Sequence, residues 1–573
     1  MNNNEPHLLE SQKQRSSSDD PNLIDLNQKE KLSNLQSQLI IETNNLDSDP
    51  EHHELKRVMK SRHIQMISIG GVIGTGLFLG TASSLAHGGP IGLLLGYACV
   101  GTIAWNIMAS LGEMVSHLPI AGGHIALAKR FVNPSLSFTM GYTYLYNWLL
   151  VLPAELSAAA LLVNFWTKSV NNALWITIFL VIISLINLGG AKFYAEFEFW
   201  FASIKVVTIV ALIILGIILD AGGGPNHDPI GFRYWRNPGP FVQYKNIPGS
   251  WGRFLGFWAV LVQASFSFIG TEITALTAAE AKNPKKTLPS AIKGVAYRIC
   301  IFYILGTFII GILVPSNDPR LNLQSHTAAS SPFVIAIENS GIKVLPSIIN
   351  AALLSSAWSA ASSDMYTSSR ALYALALAGN APAIFKRTTS WGLPWVAMMV
   401  SIMVALVAYM SVGSGGAGEV FGWLSNMTSV CGLLSWTGIF ITYLRFDAGV
   451  KFQNIDRNVF PYKSPLRTMG AIYGLLFCCS ILLTNSFTVF MTGEWDTATF
   501  ITGYFPIINI FFLYGGSYYY YKKQGVNVAP IPLQELDFVT DARDESRDGV
   551  DDLESESSGL RTFAEKFKTW REG

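Results

Sequence analysis

Runs of about 20 apolar residues recur along this 573-residue chain, and most of its charge falls in the connectors between them and at the two ends. A helical run of that length spans the roughly 30 Å hydrocarbon core of a bilayer. Half of the residues are hydrophobic and 14% are charged, against about a quarter charged in soluble proteins. The pattern predicts an all-α polytopic membrane protein. Twelve spans are expected, with these approximate limits: His63–Leu85, Ile91–His117, Leu136–Trp166, Leu174–Gly190, Phe199–Leu219, Phe254–Glu280, Val295–Val314, Leu345–Leu377, Pro394–Tyr409, Glu419–Leu444, Met469–Phe490 and Thr499–Tyr521. The third and eighth exceed what a vertical helix needs, so tilt or projection beyond the membrane is expected.

Local Lys and Arg, and not the near-zero net charge, set the orientation of such a chain. Lys56, Arg57, Lys60 and Arg62 precede span one. Lys129 and Arg130 follow span two, Lys192 follows span four, and Lys282, Lys285 and Lys286 follow span six. Basic residues also follow spans eight, ten and twelve, which places both termini in the cytoplasm. Residues 1–54 are polar, without an apolar stripe, and read as a disordered cytoplasmic tail. Residues 55–521 form the membrane domain and 522–573 a second cytoplasmic tail, acidic from Asp537 to Glu556, where disorder is expected. Lys13, Lys29 and Lys31 in the first tail are candidates for modification, and a ubiquitin-ligase adaptor is an expected partner of the tails.

The five cysteines, Cys99, Cys300, Cys431, Cys478 and Cys479, all fall in apolar runs, so neither a disulfide nor a metal site is expected. No nucleophile–base pair, metal cluster or phosphate loop stands in a setting that would use it. The chain is therefore read as a non-enzyme, without cofactor or metal and without nucleic acid as a partner.

Within span one, Ser68 begins SIGGVIGTGLFLG. Each helical glycine costs about 1 kcal/mol relative to Ala, and Gly70, Gly71, Gly74 and Gly76 crowd seven residues. Two readings are open. The helix breaks at a binding site, where freed peptide groups meet a ligand, or the G-x-x-x-G spacings serve close helix packing. A second stretch favours the break. Phe266–Glu272 reads FSFIGTE in span six, and Ile269-Gly270-Thr271 repeats Ile73-Gly74-Thr75. Interrupted spans in corresponding places of two halves point to a secondary transporter's site.

LKRVMKSRHIQMISIGGVIGTGLFLG (Leu55–Gly80) resembles the opening of the fungal amino-acid permease family, the yeast amino acid transporters of the amino acid–polyamine–organocation superfamily. The resemblance continues through LGEM (Leu111–Met114), LPAELSAAALLVNFW (Leu152–Trp166), SIKVVTIV (Ser203–Val210), FSFIGTEITALTAAEAKNPKKTLPSAI (Phe266–Ile292) and SSPFVIAIENSGIKVLP (Ser330–Pro346). It implies the leucine-transporter fold, with spans one to five repeated in inverted form as six to ten plus two C-terminal helices. It also implies proton-coupled amino-acid symport across the plasma membrane by alternating access.

The freed N–H groups of Gly74, Thr75 and Gly76 at a half-helix start suit a substrate carboxylate. By similarity to bacterial relatives, carbonyls of Val72, Phe266 and Ile269 would take the ammonium, with Phe266 as an aromatic lid. Lys205 in span five is a candidate proton carrier, since ionisable residues inside spans are functional hypotheses by default. The alternative is a structural ammonium capped by span-one carbonyls. Glu272 matches an acidic residue tied to gating in bacterial relatives and is grouped with Lys205 for proton coupling. Glu155, after Pro153 in span three, is read as facing the substrate side chain, and Thr428 in span ten as lining the pocket. Glu113 is read as a packing hydrogen bond, and Asp364 stands among the small residues of span eight. The leading expectation is broad amino-acid specificity. The alternatives are a permease restricted to basic amino acids and an amino-acid-binding nutrient receptor with little transport. Two features depart from the family pattern: Ala121-Gly122-Gly123-His124 follows span two, and the Phe-Trp-Cys ending is absent.

Overall fold

The computed structural model describes residues 73–540, except 121, 168, 274–283, 322–330 and 414–415, and without the side chains of 284–288. The expected tail at 1–54, residues 541–573 of the expected tail at 522–573, the basic cluster before span one, and Val72 lie outside the described residues. Among the described residues there is no strand. Eight helical stretches among the described residues are long and apolar enough to cross a membrane, and Asn172–Leu188 and Arg467–Leu483 are shorter apolar helices.

A π-turn, Gly76–Gly80, opens helix α1, Thr81–His117. Expected spans one and two therefore run on as one 42-residue stretch. The division falls at Gly89, whose φ of 73° and ψ of 178° belong to glycine alone. Pro90 follows and cannot continue the hydrogen-bond ladder. Helix α2, Gly123–Phe131, is amphipathic and joins α1 to α3, Pro134–Val163. The start of α3 is fixed by Asn133, whose side chain accepts from Leu136 N at 2.7 Å, with Pro134 in the first turn. Helices α4, Asn172–Leu188, and α5, Gly190–Asp220, are separated only by a kink at Gly190, φ 81°.

Helix α6, Gly249–Phe268, ends inside its apolar run. Ile269 turns extended and Gly270 adopts φ 87° before Thr271–Ile273 return to helix. The chain continues through α7, Pro284–Arg298, a π-turn and α8, Gly306–Leu313. It then forms α9, Leu345–Leu377, α10, Trp395–Ala405, and α11, Gly416–Phe452. Helices α12, Arg467–Leu483, and α13, Thr497–Lys523, complete the set.

Helix α3 is the hub, packed on α9 and α11, while α1 packs along α6. In the most apolar window of α3, 89% is buried, against 17% in that of α13, so α13 lies at the periphery. Large apolar side chains such as Leu185, Val207, Phe511 and Phe512 point outward. Such exposure suits lipid tails and not water.

Part of the expected disordered tail is packed. Residues 527–540 form a strap in which Val528, Leu536 and Phe538 are buried. His117 Nε2 lies 3.0 Å from Phe538 O, Arg130 pairs with Asp537 at 3.2 Å, and Gln453 donates to Leu536 O at 2.8 Å. The acidic character of Asp537 is thus consumed by an ion pair, and Phe538 packs on Phe131 and Phe446. Glu113 also differs from the packing hydrogen bond expected. It pairs with Arg457 at 2.8 Å and accepts from Tyr443 OH at 2.5 Å and Ser464 N at 3.0 Å. A carboxylate with three donors forms a charged junction between α1, α11 and the segment after α11.

Candidate functional site

The start of α1 is served from a distant part of the chain. Its opening residue, Thr75, makes no local side-chain cap, although the first N–H groups of a helix lack intrahelical acceptors. The acceptor comes from 80 residues away. Thr75 Oγ1 donates to Glu155 Oε1 at 2.9 Å, and the Thr75 backbone N–H is directed at the same carboxylate. Pro153 stands two residues before Glu155 in α3, and Ser157 Oγ caps the Pro153 carbonyl at 2.8 Å. Glycine is required on the opposite side. A Cβ on Gly74 would sit 2.9 Å from Glu155 Oε1. On Gly76 it would sit 2.8 Å from the Cα and Oγ of Ser267 and 3.0 Å from the Phe266 ring. The start of α1 and the last turn of α6 therefore touch at Gly76.

The break in α6 is held from several directions. Tyr303 OH donates to Ser267 O at 2.9 Å, and Thr271 Oγ1 donates to Phe268 O at 2.5 Å. Arg298 donates to Thr271 Oγ1 at 3.0 Å, and Tyr97 OH joins Ser267 Oγ at 2.9 Å. Phe266 and Ile269 fall in the last turn and at the break, where helix carbonyls lose their i+4 donors. The Phe266 ring meets Phe421 of α11 edge-on at 5.8 Å. A Cβ on Gly432 would sit 2.6 Å from the Ile269 side chain. Phe421, Thr428 and Gly432 share one face of α11, which puts buried Thr428 beside the break. Its Oγ1 has no hydrogen-bond partner among the described residues.

A second cluster lies between α5 and α9. The Lys205 ammonium is fully buried and faces Glu198 Oε1 at 3.6 Å. Ser359 of α9 donates to the other oxygen of Glu198 at 2.7 Å. Asp364 of α9 is buried within electrostatic reach of Glu155, Lys205 and Glu198, and Glu155 is within reach of Lys205. Ser356, also on α9, donates to Ile73 O at 3.4 Å and so ties this helix to the residue just before the start of α1. Glu272 stands apart from these carboxylates. It lies past the α6 break, accepts from Trp436 Nε1 at 3.2 Å and feels the charge of Arg298.

The structure thus gathers Gly74, Thr75, Gly76, Glu155, Phe266, Ile269 and Thr428 around the start of α1 and the break in α6. It puts Lys205 in the adjoining acidic cluster and Glu272 on the far side of the α6 break. Sequence reasoning missed Glu198, because span five was begun at Phe199. The signal was present: Glu198 and Lys205 stand seven residues apart, on one face of a helix. It also missed Arg298, Tyr303 and Tyr97, whose importance depends on which carbonyls they reach.

The comparisons with known proteins agree with this architecture. Residues 63–529 match the family described as amino acid permease. The chain is 44% identical over 532 residues to the dicarboxylic amino acid permease of Saccharomyces cerevisiae, covering 91% of this chain and 87% of that one. It is 39% identical to the proline-specific permease of Emericella nidulans, covering 91% and 94%. It is 40% identical to the lysine-specific permease of Saccharomyces cerevisiae, covering 87% and 81%. The crystal structure of the Eremococcus coleocola manganese transporter is similar in fold, with a TM-score of 0.51 at 13% identity, covering 83% of this chain and 99% of that one.

Proposed function

The chain belongs to the amino acid permease family, and from that premise we propose that it imports amino acids across the plasma membrane by proton-coupled alternating access. Its relatives are permeases and not enzymes. The observation that carries the reading is the start of α1, where the donors of Thr75 converge on a carboxylate supplied by Glu155. A substrate carboxylate has the same chemistry and suits the same helix end. In the loaded state it takes the place that Glu155 holds, and the substrate ammonium turns to the carbonyls at Phe266 and Ile269. Peptide groups read the part common to all amino acids, which supports a broad range of substrates. The faces of α3 and α11, with Glu155 and Thr428, then set preference among side chains. The relatives named above differ in the substrates of their names while remaining similarly close to this chain. Overall identity therefore does not choose among acidic, imino and basic side chains.

For coupling, Lys205 is the proton carrier, since an ionisable group buried inside a span is costly and is placed there for chemistry. Twelve crossings, the five-plus-five inverted pairing, cytoplasmic termini and a ubiquitin-ligase adaptor at the tails complete the proposal. A permease restricted to basic amino acids is a second reading. It is favoured by the excess of buried carboxylates, Glu155, Glu198 and Asp364, over the single Lys205 amine.

Uptake of labelled leucine, lysine, glutamate and proline into cells lacking their own permeases tests both readings. Entry of several classes with loss of accumulation on adding an uncoupler is expected. Entry of lysine alone supports the basic-substrate reading, and intact binding without uptake supports a nutrient receptor. Lys205→Met is expected to keep substrate exchange and lose accumulation.

A further inference from the structure

Helix α5 carries a carboxylate and an amine two turns apart, buried against each other. Glu198 and Lys205 have no side-chain exposure, and their charged ends lie 3.6 Å apart. Neither Glu198 Oε1 nor Lys205 Nζ has a hydrogen-bond partner among the described residues, so the two atoms face each other directly. The remaining Glu198 oxygen is fixed by Ser359 Oγ at 2.7 Å. Withdrawing an ion pair fully from water gives little net stability, because desolvation offsets the attraction. Its placement inside a span is better explained by chemistry than by folding.

The seam between α5 and α9 stays polar past Glu198, toward the Gly190 end. Tyr194, one turn earlier, donates to Ser363 Oγ at 3.0 Å. Its ring stacks on Tyr366 at 4.0 Å, and the Arg370 guanidinium lies over that ring at 3.2 Å. Seven residues at 1.5 Å per residue set the Glu198 backbone about 10 Å nearer that end than Lys205. Lys192 beside it assigns this end to the cytoplasmic side.

We propose that Glu198 is the relay residue through which Lys205 hands its proton to the cytoplasmic side. The proposal rests on the reading of Lys205 as the coupling amine. The Lys205 ammonium gives one proton to the Glu198 carboxylate, leaving a neutral amine and a neutral acid. The acid then gives the proton to water at the inner end of the seam and returns to carboxylate. The amine is recharged from the outward-facing side, so one proton crosses and no other bond changes. The ionisable groups facing Glu198 are Lys205 and Tyr194 on its own helix and Asp364 on α9. Of the other elements packed on α5, α4 and α8 contain no ionisable residue, the π-turn before α8 carries Cys300 and Tyr303, and the short helix Pro332–Asn339 carries Glu338.

The test compares parent, Glu198→Gln, Glu198→Asp, Lys205→Met and the double variant Glu198→Gln/Lys205→Met in cells lacking their own permeases. The probe is whichever of labelled leucine, lysine, glutamate and proline the parent takes up fastest, with surface amounts equalised by a fluorescent tag. Accumulation, its pH profile and exchange at equal pH on both sides are measured. Glu198→Gln keeps an oxygen for Ser359, so accumulation should fall at least tenfold with exchange within about twofold of the parent. The double variant should match Lys205→Met, and Glu198→Asp should recover part of the accumulation. Parent-like accumulation in Glu198→Gln beside its loss in Lys205→Met overturns the relay and leaves the coupling reading standing. An equal fall of exchange and accumulation makes Glu198 a structural counter-ion and also overturns the relay. Parent accumulation that ignores an uncoupler removes the coupling reading itself. If Glu198→Gln does not reach the surface, Glu198→Asp decides: slowed accumulation with intact exchange supports the relay, and an equal fall of both refutes it.

Discussion

Two helix starts in this protein solve the same problem in opposite ways. Helix α13 begins at Asp496, whose carboxylate accepts from Thr499 N at 2.9 Å and Ala498 N at 3.4 Å. The cap is local and needs no other part of the chain. Helix α1 begins at Thr75 without a cap of its own and borrows a carboxylate from Glu155 on α3. A local cap travels with its helix and leaves nothing for a ligand. A borrowed one can be replaced, because Glu155 reaches the start of α1 from another helix and not from its own turn. The difference teaches where to look for a transport site: at the helix end whose donors are served by a residue able to withdraw.

The strongest way to break this comparison is Gly76→Val. Even the Cβ would meet Ser267 Cα at 2.8 Å, which is backbone and cannot swing aside. Separation of α1 from α6 follows, and initial uptake should fall more than a hundredfold while the protein still reaches the surface. Uptake near that of the parent would show that the start of α1 and the break in α6 need not touch. Glu155→Gln comes next. It keeps the shape and an acceptor for Thr75 but removes the charge that fills the helix start. Uptake should drop about tenfold or more, with the greatest loss of affinity for lysine among the four amino acids. Equal retention of all four would remove Glu155 from side-chain selection. Gly74→Ala is milder, because its Cβ meets only the tip of Glu155 at 2.9 Å and Ala360 Cβ at 3.7 Å. A rise of several-fold in KM with little change in maximal rate is expected, since the tip can rotate away.

The comparison also marks how far the sequence could be read. The Ile-Gly-Thr repeat marked the break in α6, where Gly270 does adopt φ 87°, and its first copy falls at the described start of α1. The helical, apolar character of the chain was legible from hydropathy, yet the run-on of spans one and two turned on a single glycine, Gly89, before a proline. Glu155 was picked out as a carboxylate inside a span, but its hold on Thr75 joins residues 80 apart and no local pattern encodes it. Glu198 was lost to a boundary drawn one residue too late. The packing of the 527–540 strap was hidden for a different reason: its composition is that of a tail, and only contacts with His117, Arg130 and Gln453 give it a place.

Asp496→Ala provides the smallest effect and sharpens the comparison from the other side. Loss of an aspartate cap costs about 1 kcal/mol of helix stability. Hydrogen bonds from the Thr499 hydroxyl and N–H hold the Asp496 carboxyl below the usual carboxylate range. A group depressed in this way stabilises the fold above its unfolded pKa of about 3.9 and loses that contribution as pH falls through the folded value. Thermal unfolding of the detergent-solubilised protein should therefore separate parent from variant at pH 7 and bring them together below about pH 4. Uptake should stay within twofold of the parent, because α13 lies at the edge of the bundle and its start serves no ligand. A large uptake defect in Asp496→Ala would mean that a locally capped end also takes part in transport, and the distinction between owned and borrowed caps would fail.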